Sequence, residues 1–262
     1  MPEGHLIHRI ARDHTRDFGG RVLHAESPQG RFAKEAKLIN GLALTGVEAY
    51  GKHLCYRWTD GKNVHVHLGL YGKFRTFDMP APPPQGAVRW RITGESKGFD
   101  LNGPNQCELI SDDKWDAICA RLGPDPLRSD GDGELAWERI SKSAVPIGTL
   151  LLNQAVIAGV GNVYRSEVLF LLGIHPETSG RSIGRENFDR LWSELRRLLK
   201  IGMQYNRIIV ADPADVGKTR GRMTRDERLL VYKRPRCGNC DREIVAWELG
   251  GRKAYACNGC QQ

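Results

Sequence analysis

The chain has 262 residues, of which 40% are hydrophobic and 27% charged, so it can bury a core and is not a wholly disordered protein. Its formal net charge of +8 is unevenly placed. Residues 1–180 hold 21 basic and 21 acidic side chains, whereas residues 196–236 hold 12 basic and 4 acidic ones, a difference of 8. Clustered positive charge favours a polyanionic partner, nucleic acid before an acidic membrane surface, although a solvated basic face stays open.

No apolar signal-like segment follows the first residues. The uncharged stretch 144–164 contains proline, asparagine, glutamine and three glycines, which makes it a poor membrane span. Four of the seven cysteines are closely spaced near the C-terminus and three are scattered. An odd number with such a cluster favours a reducing compartment, so we expect a cytoplasmic protein.

The first 110 residues predict one helix and then many strands. Apolar residues recur at helical spacing over 3–18, and two glycines follow. Short apolar segments between turn residues predict the strands 42–49, 53–59, 63–68, 73–77, 88–93 and 99–102. Such frequent turns are typical of an antiparallel sandwich or barrel, with a surface loop at 80–84.

The pattern then becomes helical. Helices are predicted at 114–121, 134–142, 147–155, 162–172 and 185–204. Residues 123–133 are polar and contain two prolines, so they mark a domain boundary, and the charged stretch 206–230 predicts a mobile loop. The expected class is α+β: a β-sandwich domain with a leading helix (1–123), a helical domain (124–232) and a small cysteine-bearing module (233–262).

The strongest local signal is a pair of Cys-x2-Cys motifs, Cys237 with Cys240 and Cys257 with Cys260. Their spacing can supply four thiolates to one tetrahedral zinc ion. Alternating residues on both sides of Gly250-Gly251 predict a hairpin between the two motifs. Because four sulfurs complete the coordination shell, the zinc would be structural; two disulfides are the disfavoured alternative.

The segment 154–162 (Gln-Ala-Val-Ile-Ala-Gly-Val-Gly-Asn) joins two predicted helices. Gly159 and Gly161 permit tight turns, and Asn162 is placed to cap the following helix. Free N–H groups at such a helix N-terminus can bind phosphate. By itself, however, the segment favours a plain helix–turn–helix packing unit.

The chain opens with Met1-Pro2-Glu3. We expect removal of Met1, which leaves Pro2 with a free secondary amine, and the positive end of a helix dipole favours the neutral form of that amine. A secondary amine can attack an aldehyde-level carbon to give an iminium, and Glu3 could donate or accept the proton. Proline at position 2 is common, so alone it carries no function.

Three further motifs lie in the strand-rich half. Lys52 stands at a turn that enters a strand, where a lysine is usually solvated. His65 and His67 share one strand face, as metal ligands could, but no third ligand is evident, so they are interpreted as packing or phosphate-contact residues. The segment 69–72 (Gly-Leu-Tyr-Gly) predicts either a core turn or an exposed wedge.

In combination, these motifs resemble one enzyme family. Pro-Glu-Gly at the start, Gly-Lys-His-Leu at 51–54, the segment 154–162 and a terminal four-Cys ribbon occur in one order along nearly the whole chain. The combination resembles the formamidopyrimidine-DNA glycosylase/endonuclease VIII family of base-excision-repair enzymes, and the Pro-Glu-Gly opening is similar to its endonuclease VIII branch. The resemblance implies that 147–155 and 162–172 form the family's helix–two-turn–helix.

The resemblance also implies catalytic roles. Pro2 would attack C1′ of the damaged nucleotide, displace the base and form an iminium. Glu3 would protonate the sugar ring oxygen or transfer protons, and Lys52 would act as general acid. Elimination would then cut the strand on both sides of the sugar. The preferred substrates of the branch are oxidised pyrimidines; an oxidised-purine glycosylase is the alternative within the family.

DNA-contact roles are implied in the same way. Asn162 and Arg252 would hold phosphates that flank the lesion, and Leu70 and Tyr71 would fill the gap left by the extruded base. The expected partner is damaged DNA, duplex or single-stranded, bound by a monomer in the bacterial cytoplasm at the nucleoid, with one structural Zn²⁺ and no membrane.

Two positions depart from the family pattern. Leu6 replaces its second acidic residue, with His5 where the branch often has proline, and Gly69 replaces a larger polar residue in the gap-filling loop. Elimination efficiency and opposite-base preference are therefore open. A non-catalytic zinc-ribbon module that only binds DNA is the competing class, with an RNA-processing or translation factor behind it, but neither explains Pro2, Glu3 and Lys52 together.

Overall fold

The structure is a computed structural model that describes residues 2–262; the expected removal of Met1 concerns a residue outside this range. The chain forms two compact units. Unit 1 comprises Pro2 and Ile7–Arg121, and unit 2 comprises Glu3–Leu6 and Leu122–Gln262. Within residues 2–262 no helix combines the length and the apolar character that a membrane span requires.

Three helices and eight strands lie in the first half of the chain. The helices are α1 (Gly4–Phe18), α2 (Ala33–Ile39) and α3 (Asp112–Ala120). The strands are β1 (His24–Glu26), β2 (Leu44–Tyr50), β3 (His53–Trp58), β4 (Asn63–His67), β5 (Lys73–Asp78), β6 (Val88–Thr93), β7 (Lys97–Asn102) and β8 (Gln106–Ile110).

Unit 1 is an antiparallel β-sandwich, as predicted. One sheet has the strand order β1-β6-β7-β5 and the other β2-β3-β4-β8, and every pair is antiparallel. Alternate residues of both sheets enter one core, for example Tyr56 and Trp90, together with apolar residues of α1 and α2. On its other face the second sheet packs Cys55 against Trp115 and Ile118 of α3.

Several unit 1 elements were not predicted from the sequence. The strands β1 and β8 and the helix α2 are short, and their apolar residues do not form a run that stands out. The helix α3 begins at Asp112, two residues before the predicted start, because the Ser111 side chain accepts a hydrogen bond from Lys114 N and caps it.

Unit 2 is mainly helical. Its helices are α4 (Gly133–Ser141), α5 (Ile147–Leu150), α6 (Asn162–Leu171), α7 (Arg185–Tyr205), α8 (Pro213–Val216) and α9 (Arg225–Arg228). Helix α7 buries Leu191, Leu195 and Leu198 in a core shared with α4 and α6. The predicted loop 206–230 contains α8 and α9; Asp212 caps the first and Thr224 forms a capping box with Glu227 in the second.

The predicted helix 147–155 is wrong in length, because α5 ends at Leu150. Asn153 interrupts it: its Oδ1 accepts a hydrogen bond from Ala155 N at 3.0 Å, which stabilises a turn in place of another helical turn. Helix α6 therefore follows α5 through an eleven-residue segment of turns, and that segment carries the chemistry described below.

The C-terminal hairpin consists of β9 (Val245–Leu249) and β10 (Arg252–Ala256). Gly250 and Gly251, with φ of 63° and 71°, form the predicted turn. The buried Glu167 of α6 anchors the segment that leads into this module: its carboxylate accepts hydrogen bonds from the backbone N–H groups of Leu230, Val231 and Tyr232 at 2.8–3.1 Å.

Candidate active site

The Glu3 carboxylate is fully buried at the N-terminus of helix α6. Its Oε2 accepts a hydrogen bond from Gly161 N at 3.0 Å, and its Oε1 accepts one from Val163 N at 3.0 Å. A third N–H, that of Tyr164, lies 3.5 Å from Oε2. A helix N-terminus presents unpaired N–H groups and a positive dipole end, which together stabilise a buried carboxylate. Glu3 is therefore held in one defined place within unit 2.

Two glycines make this approach possible. A Cβ at Gly161 would lie 2.3 Å from Glu3 Cδ, and a Cβ at Gly4 would lie 2.9 Å from Gly159 Cα. The backbone of Gly4 also donates to the carbonyl of Gly159 at 2.8 Å. Glycine is thus required here for close approach, and at Gly159, with φ of 87°, for its backbone conformation as well.

Gln154 holds the turn itself. Its Oε1 accepts from Gly159 N at 3.0 Å, while its Nε2 donates to the carbonyls of Leu152 and Val160 at 3.0 and 2.9 Å. One amide side chain thereby satisfies three backbone groups of the segment that presents Gly161 to Glu3. The sequence motif is therefore more than a plain packing turn.

Asn162 does not cap helix α6, so that prediction is wrong. Gly161, which has no side chain, is the N-cap residue, and the Glu3 carboxylate accepts the N–H groups that an N-cap side chain would otherwise accept. Asn162 Nδ2 donates instead to the carbonyl of Lys253 at 3.0 Å, while its Oδ1 is buried without a partner. Asn162 thus joins the start of α6 to the hairpin residue next to Arg252.

Arg165, which the sequence analysis missed, reinforces that link. Its side chain is buried, and its guanidinium donates to the carbonyls of Gly148, Leu249 and Lys253 at 2.8–3.3 Å. Burial lowers the pKa of Arg165 to about 10, so the group stays charged at neutral pH. Arg252 itself is exposed. The only signal in the sequence was a charged pair, Arg165 and Glu167, inside an apolar helix.

His5 fills a gap between helices of unit 2. Its ring meets Tyr164 edge to face at a centroid distance of 5.4 Å, and a Cβ at Gly202 of α7 would lie 2.9 Å from His5 Cγ. Burial lowers the pKa of His5 to about 4, so the ring is neutral at physiological pH. The residue that departs from the family pattern is thus a packing residue.

The four clustered cysteines converge as predicted. Their sulfur atoms all lie within 4.8 Å of one another, with separations of 3.4 Å (Cys240–Cys257), 3.6 Å (Cys240–Cys260) and 3.7 Å (Cys237–Cys260). A tetrahedral ion with metal–sulfur bonds of about 2.3 Å places its sulfurs about 3.8 Å apart. The donor set therefore fits a metal ion. All seven cysteines are described, and none forms a disulfide.

The predicted unit 1 residues lie on two turns. Lys52 occupies the two-residue turn between β2 and β3, beside Gly51 with φ of 58°, and is half-buried. Leu70 and Tyr71 lie on the turn after β4, with 48% and 85% of their surface exposed. The segment 69–72 is therefore an exposed wedge and not a core turn.

Pro2 lies before helix α1, which begins at Gly4, so it precedes the first helical turn. It is half-buried and directly precedes the anchored Glu3. Its neighbour Glu3 is held by the backbone N–H groups of Gly161, Val163 and Tyr164.

The sequence matches two family models, the formamidopyrimidine-DNA glycosylase N-terminal domain over residues 1–106 and the formamidopyrimidine-DNA glycosylase H2TH domain over residues 122–213. It is 46% identical over the full length of both chains to Endonuclease 8 1 of Mycobacterium tuberculosis (strain H37Rv). It is 27% identical to the formamidopyrimidine-DNA glycosylase of Thermomicrobium roseum, over 86% of this chain and 84% of that one.

The fold is likewise similar to solved structures. The Lactococcus lactis formamidopyrimidine-DNA glycosylase bound to DNA containing an abasic site superimposes with a TM-score of 0.82 at 24% identity, covering 99% of each chain. The same enzyme with DNA containing FAPY-dG gives 0.81 at 23% identity, over 98% of this chain and 99% of that one. These structural matches show a shared fold. The two family models and the 46% identity with Endonuclease 8 1 over both full chains show that the chain belongs to the formamidopyrimidine-DNA glycosylase/endonuclease VIII family of DNA repair glycosylases.

Proposed function

We propose that this glycosylase is bifunctional: it excises oxidised pyrimidines through a Schiff base on Pro2 and then cleaves the strand by β,δ-elimination. The observation that carries the proposal is the buried Glu3 carboxylate, held by the N–H groups of Gly161 and Val163 next to Pro2 in sequence. A protein that only bound DNA would gain nothing from burying a carboxylate beside an N-terminal proline, because carboxylates repel phosphates.

The proposed reaction begins at the amine of Pro2 after removal of Met1. The nitrogen lone pair forms a bond to C1′, and the N–H proton of the amine passes to the Glu3 carboxylate. The bond from C1′ to the base breaks, and the base leaves with a proton from Lys52, the proposed general acid. Opening of the C1′–O4′ bond, with a proton from Glu3 to O4′, gives the iminium, which serves as an electron sink. Loss of a C2′ proton then breaks C3′–O3′, and a second elimination breaks C5′–O5′. Water finally hydrolyses the iminium and restores the amine.

Four residues are proposed to contact DNA. Arg252 and Asn162, linked through the Lys253 carbonyl and Arg165, are proposed as phosphate contacts. The exposed Leu70 and Tyr71 are proposed to fill the space of the extruded nucleotide. The excess of eight positive charges over residues 196–236 supports a DNA-facing role and a cytoplasmic location at the nucleoid. Zinc is the proposed metal of the four-Cys site.

The Schiff base is tested by borohydride reduction with DNA that contains an abasic site. We expect covalent trapping by the processed protein, and little trapping by Pro2→Gly or by a form with an extended N-terminus, because neither offers the secondary amine. A His8→Gln variant of the same helix serves as the matched control. Efficient trapping by protein that retains Met1 would contradict the assignment.

The lesion class is tested with a panel of defined lesions. Oxidation that saturates the C5–C6 bond leaves a non-planar pyrimidine, which stacks poorly and costs less to extrude than an intact base. We therefore expect faster cleavage of oxidised pyrimidines than of 8-oxoguanine, and a larger loss on duplex than on single-stranded DNA for Tyr71→Ala, since stacking contributes about 1–3 kcal/mol per base. A preference for 8-oxoguanine opposite cytosine would favour the oxidised-purine alternative.

A further inference from the structure

A cluster of three histidines lies on the outer face of the second sheet of unit 1, beside the turn that carries Lys52. His53, His65 and His67 come from the paired strands β3 and β4, where His53 stands opposite His67. The His53 ring stacks on His65 at a centroid distance of 5.2 Å and contacts His67 at 4.7 Å. His53, which directly follows Lys52, is the neighbour that sequence inspection of His65 and His67 did not identify.

The cluster is not a metal site. Within residues 2–262, the four cysteines are the one group in which three or more potential ligand atoms from His, Cys, Asp or Glu converge. The histidines instead form a chain of hydrogen bonds. Glu108 Oε1 lies 3.3 Å from His65 Nδ1, and His65 Nε2 lies 2.9 Å from His53 Nδ1. At the outer end, Lys114 Nζ donates to Glu108 Oε2 at 3.0 Å.

These hydrogen bonds determine which nitrogen carries the proton in the rings of His65 and His53. Burial lowers the pKa of His65 and lowers that of His53 to about 3, so both rings are neutral at physiological pH. A carboxylate only accepts hydrogen bonds, so His65 carries its proton on Nδ1 and accepts with Nε2. His53 must then donate from Nδ1, which leaves its Nε2 with a free lone pair. Each ring thus has one tautomer.

The neutral state of these histidine rings affects the electrostatic environment of the Lys52 ammonium group. Lys52 directly precedes His53 at the turn between β2 and β3, and its positive charge adds to burial in lowering the pKa of His53 and of His67. Arg121 also lowers the pKa of His53, and Lys114 that of His65. Protonated histidines at this place would repel the Lys52 ammonium, whereas neutral rings anchor its turn without opposing its charge.

We propose that His53 is a positioning residue for Lys52, and that the chain Glu108–His65–His53 ties the turn between β2 and β3 to β4 and β8 through one fixed tautomer. The inference rests on the proposed role of Lys52 as general acid. His53 touches no reacting atom in this scheme; it acts by restricting where the Lys52 amine can be.

Glu108 is the place to test the chain, because its side chain is 37% exposed at the edge of a cavity of about 650 Å³ and is not part of the core. Glu108→Leu removes the hydrogen-bond acceptor of His65, whereas Glu108→Gln keeps an acceptor oxygen. Gln106→Leu is the control, because Gln106 is an exposed residue of the same strand and cavity that takes no part in these hydrogen bonds. Each variant is combined with Lys52→Ala, and single-turnover cleavage rates and DNA dissociation constants are measured on lesion duplexes.

We expect Glu108→Leu to lower the cleavage rate about tenfold with a dissociation constant within about twofold of wild type, whereas Glu108→Gln and Gln106→Leu keep rates within about twofold. In the Lys52→Ala background, Glu108→Leu should cause no further loss, since residues that act through one another are non-additive. Nitrogen-15 NMR should show the His53 proton on Nδ1 in the wild-type protein.

An equal loss from Glu108→Leu with and without Lys52 would overturn the inference, because it would show a general structural effect. A His53 proton on Nε2 would also overturn it. If Lys52→Ala alone cleaved at the wild-type rate, the role of Lys52 and this inference would both fail, while the borohydride test would still decide whether Pro2 forms the Schiff base.

Discussion

Gly161 lacks a side chain because the Glu3 carboxylate occupies the space that a Cβ would need. Its φ of −124° and ψ of −166° are open to any residue, so the requirement is one of space and not of backbone conformation. This separates it from glycines such as Gly251, where a Cβ would meet open space and a positive φ alone explains the residue. Gly161 is therefore a direct probe of whether Glu3 must stay where it is.

We expect Gly161→Ala to lower the single-turnover excision rate at least tenfold. The added methyl group displaces Glu3 from two N–H groups, and hydrogen bonds to a charged group contribute about 1.5–3 kcal/mol each, whereas about 1.4 kcal/mol corresponds to tenfold. Gly221→Ala, at a position with open space around it, is the matched control and should keep the wild-type rate. A wild-type rate for Gly161→Ala would show that the position of Glu3 is not important for excision.

Sequence inspection at this scale located the start of helix α6 and misassigned one contact there. The segment 154–162 pointed to a helix N-terminus with available N–H groups, which is correct, and phosphate was the expected occupant. In the structure the occupant is Glu3, 158 residues away from Gly161 in the chain. The sequence around 154–162 does not reveal so distant a partner, and the cap assigned to Asn162 was therefore wrong. The proposed contact of Asn162 with DNA stays a prediction.

At the scale of elements, the four-Cys module has little core besides its clustered cysteines. It contributes four residues to its buried apolar cluster, and two of these, Cys237 and Cys257, belong to the set of proposed ligands. The hairpin β9–β10 carries Arg252 at the start of its second strand. Besides the hydrogen bonds from Asn162 and Arg165, the ordering of Arg252 therefore depends on whatever holds the four sulfurs together.

We expect one zinc ion per chain by elemental analysis, and weaker DNA binding after its removal by a chelator or by Cys257→Ser. The mainly helical core of unit 2 should keep its far-ultraviolet circular dichroism, while trypsin gains access to Arg252 and Lys253. Cys119→Ser, which changes a cysteine of unit 1 outside the cluster, should retain both metal and affinity. A fully active preparation without metal would contradict this prediction.

Long, strongly patterned elements were predicted closely. Strand β6 matches the predicted 88–93 at both ends, and α7 differs from the predicted 185–204 by one residue. Elements that depend on local side-chain bonds or on tertiary pairing were missed: α5 is shortened by the turn at Asn153, and β8 exists because β4 supplies its partner. The spacing of apolar residues in the sequence reveals neither the turn at Asn153 nor the pairing of β8 with β4.

At the scale of the whole molecule, several buried histidines link stability to pH. The pKa of His14, which contacts the hydroxyl of Tyr56 at 2.7 Å, is lowered by burial to about 4, as is that of His5. An unfolded histidine titrates near 6.5. Between pH 6.5 and about 4 the unfolded chain therefore takes up protons that the folded chain excludes, and stability falls as pH falls through this window.

We expect the free energy of unfolding to decrease below pH 6.5, with each such histidine contributing up to about 1.4 kcal/mol per pH unit. Since carboxylates also lose stability on acidification, the comparison is between wild type and His14→Gln, measured by urea unfolding from pH 4.5 to 7.5. The variant should be less stable at neutral pH and show a shallower decline. An identical slope in both proteins would exclude His14 as a source of the effect.

The hydrogen bond from Gly161 N to the Glu3 carboxylate also determines when residues 3–6 can dock during synthesis of the protein. Residues 3–6 belong to the same unit as residues 122–262, so they leave the ribosome first but cannot dock until residues 161–164 have followed. At about 5–20 residues per second, that interval lasts roughly 10–30 s. Throughout it, residues 3–6 have no docking site on residues 161–164. If Pro2 is the nucleophile, as proposed above, the delay leaves time for a peptidase to expose its amine before the segment that holds Glu3 is complete.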